Sequence, residues 1–108
     1  MQREKIRLVL RILLDNARLY SRDDAPLKVV VGSRRHRGRH CIFIHDNGRG
    51  IPAAYQPTIF EAFQRIPGSP GTGLGLGLNL VKRVVEQHGG SVWIESRVGV
   101  GTTLYFRL

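Results

Sequence analysis

The sequence predicts an α+β two-layer sandwich, a mixed, mostly antiparallel sheet of about four to five strands covered on one face by about three helices. Three observations carry that expectation. Elements follow in the order helix, strand, strand, helix, strand, strand. The paired strands are joined by short turns, which implies antiparallel pairing. Two glycine-rich stretches, Asp46-Asn47-Gly48-Arg49-Gly50 and Gly71-Thr72-Gly73-Leu74-Gly75-Leu76-Gly77-Leu78, each lie where an element begins or ends. Strands alternating singly with crossover helices would suggest a doubly wound fold; this order does not.

Residues 4–20 read as a helix, because Ile6, Val9, Leu10, Leu13, Ala17 and Tyr20 recur at three- and four-residue spacing with Arg3, Arg7, Arg11 and Arg18 opposite. Ser21 to Pro26 is a turn cluster. Leu27 to Ser33 reads as a strand centred on Val29-Val30-Val31, Arg34 to His40 as a basic turn, and Cys41 to His45 as the paired strand. Asp46 to Pro52 is the first glycine loop, and Ala53 to Phe63 a short helical segment interrupted near Pro57. Gln64 to Thr72, with Pro67, Gly68, Pro70 and Gly71, reads as a mobile loop. Leu74 to His88 is a helix with Leu76, Leu80, Val84 and Val85 on its apolar side, stopped by Gly89-Gly90. Ser91 to Ser96 and Thr102 to Leu108 are strands, joined by the turn Arg97 to Gly101.

At 108 residues the chain is expected to be one domain with one core. No apolar run approaches the ~20 residues of a membrane span, and the N-terminal residues carry no signal-peptide pattern. Cys41, the single cysteine, sits in an apolar run where it acts as a small hydrophobe. A reducing, cytoplasmic setting is expected. The 17 Lys and Arg against 8 Asp and Glu give a net charge of +9, which favours anionic ligands or partners without choosing among them.

The glycine stretches point to a nucleotide. Glycine lets a backbone approach a ligand closely. A carboxylate at the end of an apolar strand, Asp46, can accept from an adenine amino group. Free amides of the second loop can meet phosphate. Taken alone, Asp46 could equally cap a turn, as Asp-Asn-Gly often does.

Four motifs in order resemble the ATP-binding catalytic domain of sensor histidine kinases, within the wider fold of gyrase, Hsp90 and MutL. Leu13-Leu14-Asp15-Asn16-Ala17 is similar to the asparagine box, and Asp46-Asn47-Gly48-Arg49-Gly50-Ile51 to the first glycine box. Ile59-Phe60-Glu61-Ala62-Phe63-Gln64-Arg65 is similar to the phenylalanine box, and Gly71 to Leu76 to the second glycine box. The tail His88-Gly89-Gly90, Ser96 and Gly99-Val100-Gly101-Thr102 also follows the family pattern.

The resemblance implies roles for individual residues. Asp46 accepts from the adenine amino group, with Gly48, Gly50 and Ile51 beside the base and Thr102 supporting Asp46. Asn16 coordinates a magnesium ion bridging the phosphates. Tyr20 stacks near the adenine or belongs to the core. Gly71, Thr72, Gly73, Leu74, Gly75 and Leu76 shape the lid end and present amides to phosphate. Arg65 reaches the γ-phosphate or is a solvated lid residue.

The implied activity is transfer of the γ-phosphate of Mg-ATP to a histidine on a separate dimerisation segment, with a response regulator downstream. The expected full-length protein is a bacterial homodimer, cytoplasmic or the cytoplasmic part of a membrane-bound sensor. No phosphoacceptor helix is found in residues 1–108, so autophosphorylation within this chain is not expected.

The chain departs from the pattern at two places. Four residues before Asn16 the family commonly has asparagine or glutamate, and three after it lysine; here they are Ile12 and Leu19. A pseudokinase that binds nucleotide with weak or no transfer is therefore the alternative. A third reading, nucleic-acid binding through Arg34 to His40, rests on a basic run that is usually a solvated turn; no nucleic-acid partner is expected.

Overall fold

The computed structural model describes residues 3–61 and 77–107. Helix α1 spans Arg3–Leu19, strands β1 and β2 span Val29–His36 and Arg39–Asp46, and a short 3-10 segment spans Ala53–Thr58. Helix α2 spans Gly77–Gln87, and strands β3 and β4 span Ser91–Arg97 and Gly101–Arg107. The four strands form one sheet in the order β1-β2-β4-β3, and every pairing is antiparallel. This agrees with the α+β expectation. Among the described residues no helix is long and apolar enough to cross a membrane.

Both helices pack on one face of the sheet because their apolar stripes require it. Helix α1 buries Val9, Leu13 and Ala17, spaced four apart. Helix α2 buries Leu78, Val81, Val84 and Val85. All of these but Ala17 meet Ile44, Leu104 and Phe106 from the two central strands in one core. The expected phase of α2 was partly wrong: Leu80 is exposed, and Leu76 lies outside the described residues. Leucines at every second position do not announce which of them faces inward. Glycine at 89 takes φ 79° and closes α2, with Gly90 N–H donating to Val85 O at 3.0 Å and Gly89 N–H to Glu86 O at 3.0 Å.

The largest difference from expectation is the β1–β2 hairpin. The turn is two residues, Arg37 and Gly38, both at positive φ (52° and 77°), the turn geometry that matches strand twist. The rest of the Arg34–His40 run is strand. Its charges do not prevent pairing because long side chains find partners on the sheet face away from the helices. The Arg34 guanidinium lies 4.8 Å over the Tyr105 ring, and His36 sits 5.0 Å from Trp93, which stacks on Tyr105 at 5.3 Å. Cys41 is buried, and burial pushes its thiol pKa up.

Strand register sets the site. On the helix-facing side the rows across β2, β4 and β3 are Ile42–Phe106–Val92, then Ile44–Leu104–Ile94, then Asp46–Thr102–Ser96. Two apolar rows build the core and the third is polar. The core therefore ends at a row of one carboxylate and two hydroxyls.

Candidate functional site: a half-buried carboxylate and its glycine loop

Asp46 ends β2 in a half-buried position. Its Oδ1 accepts the Gly48 N–H at 2.8 Å. Burial raises its pKa, and the backbone amides of Gly48 and Thr102 pull it down less strongly. A carboxylate that is partly desolvated and only partly satisfied can receive a donor from a ligand.

The loop after Asp46 is fastened at nearly every residue. Asn47 donates from Nδ2 to Pro26 O at 2.9 Å, and its Oδ1 accepts the Lys28 N–H at 2.8 Å. Arg49 N–H donates to Tyr20 O at 3.0 Å, and Gly99 N–H donates to Arg49 O at 2.9 Å. The Ile51 N–H donates to Ser96 Oγ at 2.8 Å. The glycines serve this packing. A side chain on Gly48 would meet Tyr20 O at 2.6 Å and Asp46 Oδ1 at 2.9 Å. One on Gly50, which has φ 77°, would overlap the Arg97 carbonyl. In this structure, then, Gly48 and Gly50 admit close approach by the protein's own backbone.

Thr102 lies opposite Asp46 in the β2–β4 register. It meets Asp46 through its backbone amide, while its hydroxyl pairs with Ser96 Oγ at 2.7 Å. Ser96 also donates to Gly101 O at 3.0 Å. Gln56 Nε2 donates to Ile51 O at 2.8 Å and to Ser96 O at 3.2 Å, tying the 3-10 segment to this hub. Ser96 was expected only as part of a tail pattern, and Gln56 and the amide of Asn47 were missed. No local signal marks Gln56, whose two acceptors come from different parts of the chain.

Asn16 is half-buried on α1, with Ile12 and Leu19 half-buried on the same flank. That flank faces α2, since Ile12 Cγ2 lies beside the Gly77 backbone. Among the described residues no group of three His, Cys, Asp or Glu side chains could hold a metal ion. A lone amide fits a magnesium ion that brings its other oxygens from phosphate and water. Tyr20 is half-buried just past the end of α1, and its carbonyl holds the glycine loop. Arg22, three residues past Leu19, has partners of its own. It pairs with Asp24 at 2.8 Å and donates to Gly99 O at 2.7 Å. Arg65, Gly71, Thr72, Gly73, Leu74, Gly75 and Leu76 lie outside the described residues.

A twisted antiparallel sheet under two helices, with a carboxylate at a strand end and an asparagine on the facing helix, defines an ATP-binding domain of the histidine kinase type. Residues 1–108 match the family described as histidine kinase-, DNA gyrase B- and HSP90-like ATPase, and the chain belongs to it. It is similar to the adaptive-response sensory kinase SasA of Prochlorococcus marinus (strain MIT 9301), 38% identical over 104 residues, covering 94% of this chain and 28% of that protein. Among solved structures it resembles the mycobacterial sensor histidine kinase MprB, with TM-score 0.85 and 28% identity over 100% of this chain and 74% of that one. Full-length ShkA in complex with AMPPNP superposes with TM-score 0.78 and 28% identity, covering 95% of this chain and 21% of that one. The chain spans less than a third of the curated relatives it matches, 9% of a cyanobacterial phytochrome B and 28% of SasA. It is an ATP-binding domain of the histidine kinase type.

Proposed function

We propose that this domain binds Mg-ATP and donates the γ-phosphate to a histidine on a separate dimerisation segment of its full-length protein. That protein would act as a cytoplasmic or membrane-tethered homodimer and pass the phosphate to a response regulator. The observation that carries the reading is the polar row Asp46–Thr102–Ser96 at the end of an otherwise apolar sheet face. One carboxylate beside an apolar wall is the usual design for orienting a small ligand. The solved ShkA complex with AMPPNP supports a nucleotide in this fold.

Each residue has a task in this reading. Asp46 accepts from the adenine amino group and orients the base. Ile51, buried behind the glycine loop, excludes water, and Tyr20 flanks the base. Asn16 offers the amide oxygen that would hold magnesium, which neutralises charge on the phosphate oxygens. Gly71 to Leu76 offer backbone amides to phosphate, and Arg65 offers a guanidinium to the γ-phosphate. In the transfer a histidine nitrogen forms a bond to the γ-phosphorus as the bond to the β–γ bridging oxygen breaks, and ADP leaves with that electron pair. Positioning and charge neutralisation dominate such a step.

The test is phosphotransfer in trans. The purified domain, supplied with ATP, magnesium and a histidine-bearing dimerisation segment, forms acid-labile, base-stable phosphohistidine. Nucleotide binding without any phosphohistidine would instead establish the pseudokinase reading, which Ile12 and Leu19 favour. Leu19→Lys tests where the phosphates lie. A cation near the triphosphate gains about 1 kcal/mol at 4 Å in water-like surroundings, or roughly fivefold in affinity. Calorimetry is expected to show that gain, because Arg22 is already paired. An unchanged affinity would place the phosphates away from the Leu19 flank.

A further inference from the structure

We infer that Arg22 is a positioning residue for base recognition, a tie between the two walls that hold the Asp46–Gly50 loop. The inference rests on the nucleotide-binding reading above and concerns a residue that reading leaves without a role.

The loop lies between the segment that leaves α1 and the β3–β4 turn, and it meets both through backbone. On the first side, a side chain on Gly48 would stand 2.6 Å from Tyr20 O, and the Arg49 N–H donates to that same carbonyl at 3.0 Å. On the second side, a side chain on Gly50 would overlap the Arg97 carbonyl, and one on Gly101 would overlap the Asp46 carbonyl. The Gly99 N–H donates to Arg49 O at 2.9 Å on that side.

Arg22 joins the two walls. It stands just past Tyr20 and donates from Nη1 to Gly99 O at 2.7 Å. Asp24 aims the guanidinium, accepting from Nε at 2.9 Å and from Nη2 at 2.8 Å. A carboxylate that grips this edge of the planar fork leaves Nη1 for another acceptor. The contacts close a ring: Arg22 to Gly99, Gly99 to Arg49, Arg49 to Tyr20, and Tyr20 back to Arg22 along the chain. Arg49 also reaches the first wall with its side chain, donating from Nε to Ser21 O at 3.2 Å. Gly48, whose N–H donates to Asp46 Oδ1 at 2.8 Å, belongs to the loop that this ring fastens. A shift of either wall therefore moves the acceptor that meets the adenine amino group, and a hydrogen bond weakens steeply as its angle opens. Arg22 works through Asp46 and touches no part of the ligand.

Arg22→Ala is expected to weaken ATP and adenosine alike, roughly fivefold, the size of one charge-assisted hydrogen bond at a partly exposed site. The preference for ATP over GTP falls by a similar factor, because guanine carries a carbonyl where adenine carries its amino group and gains nothing from Asp46. Asp24→Ala, which releases the guanidinium without removing it, shows the same pattern with a smaller loss. In Asp46→Asn the tie has no carboxylate left to aim, so adding Arg22→Ala costs little more. Titration calorimetry with ATP, GTP and adenosine measures these effects, at a temperature where thermal melts show each variant folded. High salt screens long-range attraction between the guanidinium and phosphate. A loss confined to ATP, with adenosine unchanged, overturns the inference and makes Arg22 a phosphate contact. Unchanged ATP affinity in Arg22→Ala overturns it too. So does an equal fall for ATP and GTP, which shows a loosened fold and no aiming of Asp46, or a full further loss in the Asp46→Asn background. A wild-type domain that binds no nucleotide at all defeats the nucleotide reading itself, and the tie with it.

Discussion

Asp46→Asn is expected to lower Mg-ATP affinity about a hundredfold while leaving the domain folded and at least as stable as wild type. The amide would turn a donor toward the adenine amino group, itself a donor, or offer a neutral acceptor in place of a charged one. Losing a charge-assisted contact in a half-buried site costs roughly 2–3 kcal/mol, which is about a hundredfold. The fold is expected to survive because asparagine keeps an oxygen for the Gly48 N–H that Asp46 now accepts at 2.8 Å.

The stability claim follows from the sign of the pKa shift. Burial raises the Asp46 pKa above the ordinary carboxylate value, so the folded state holds the proton more tightly than the unfolded chain. That contribution to stability is present below the unfolded carboxylate range and is lost as pH rises through the raised folded value. At neutral pH the ionised group weakens the unliganded fold, and replacing it relieves that cost. Wild-type affinity for ATP falls as pH drops through the raised pKa, at a higher pH than for an ordinary aspartate. Calorimetry and thermal melts taken from neutral pH down through the carboxylate range measure both. Unchanged affinity in Asp46→Asn would reduce Asp46 to a turn residue, and a large fall in melting temperature would make it a structural one.

Asn16→Ala is expected to abolish phosphohistidine formation in trans and to remove the magnesium dependence of ATP binding. Asn16 is half-buried on the flank of α1 that it shares with Ile12 and Leu19. Alanine is the better helix former by roughly 0.5 kcal/mol, so folding is expected to be kept. Retention of both transfer and magnesium dependence would remove Asn16 from the site. Loss of transfer with magnesium dependence intact would point to a different ligand for the metal.

Much of this was legible in the chain. Three- and four-residue spacing located α1, with Val9, Leu13 and Ala17 inside. Gly89 marked the end of α2, because only a residue at ease with positive φ suits that position. Asp46-Asn47-Gly48-Arg49-Gly50 stood out as a site because a carboxylate and two glycines together break the local strand pattern. Charge misled at the hairpin. Arg34 and Arg35 were expected in a turn, yet both are strand residues. A long basic side chain leaves its pairing backbone free and can lay its charge over an aromatic ring, as Arg34 does over Tyr105.

By itself the sequence determined the element types, the antiparallel class of sheet and the two loops that carry the chemistry, since each depends on residues near one another in the chain. Only the tertiary structure decided that Asp46, Thr102 and Ser96 form one row. It alone brought Gln56 to the carbonyls of Ile51 and Ser96 and seated Gly77 against Ile12. These relations join residues far apart in the chain. They depend on strand register and helix approach, which the packing of the whole core sets and no local pattern encodes.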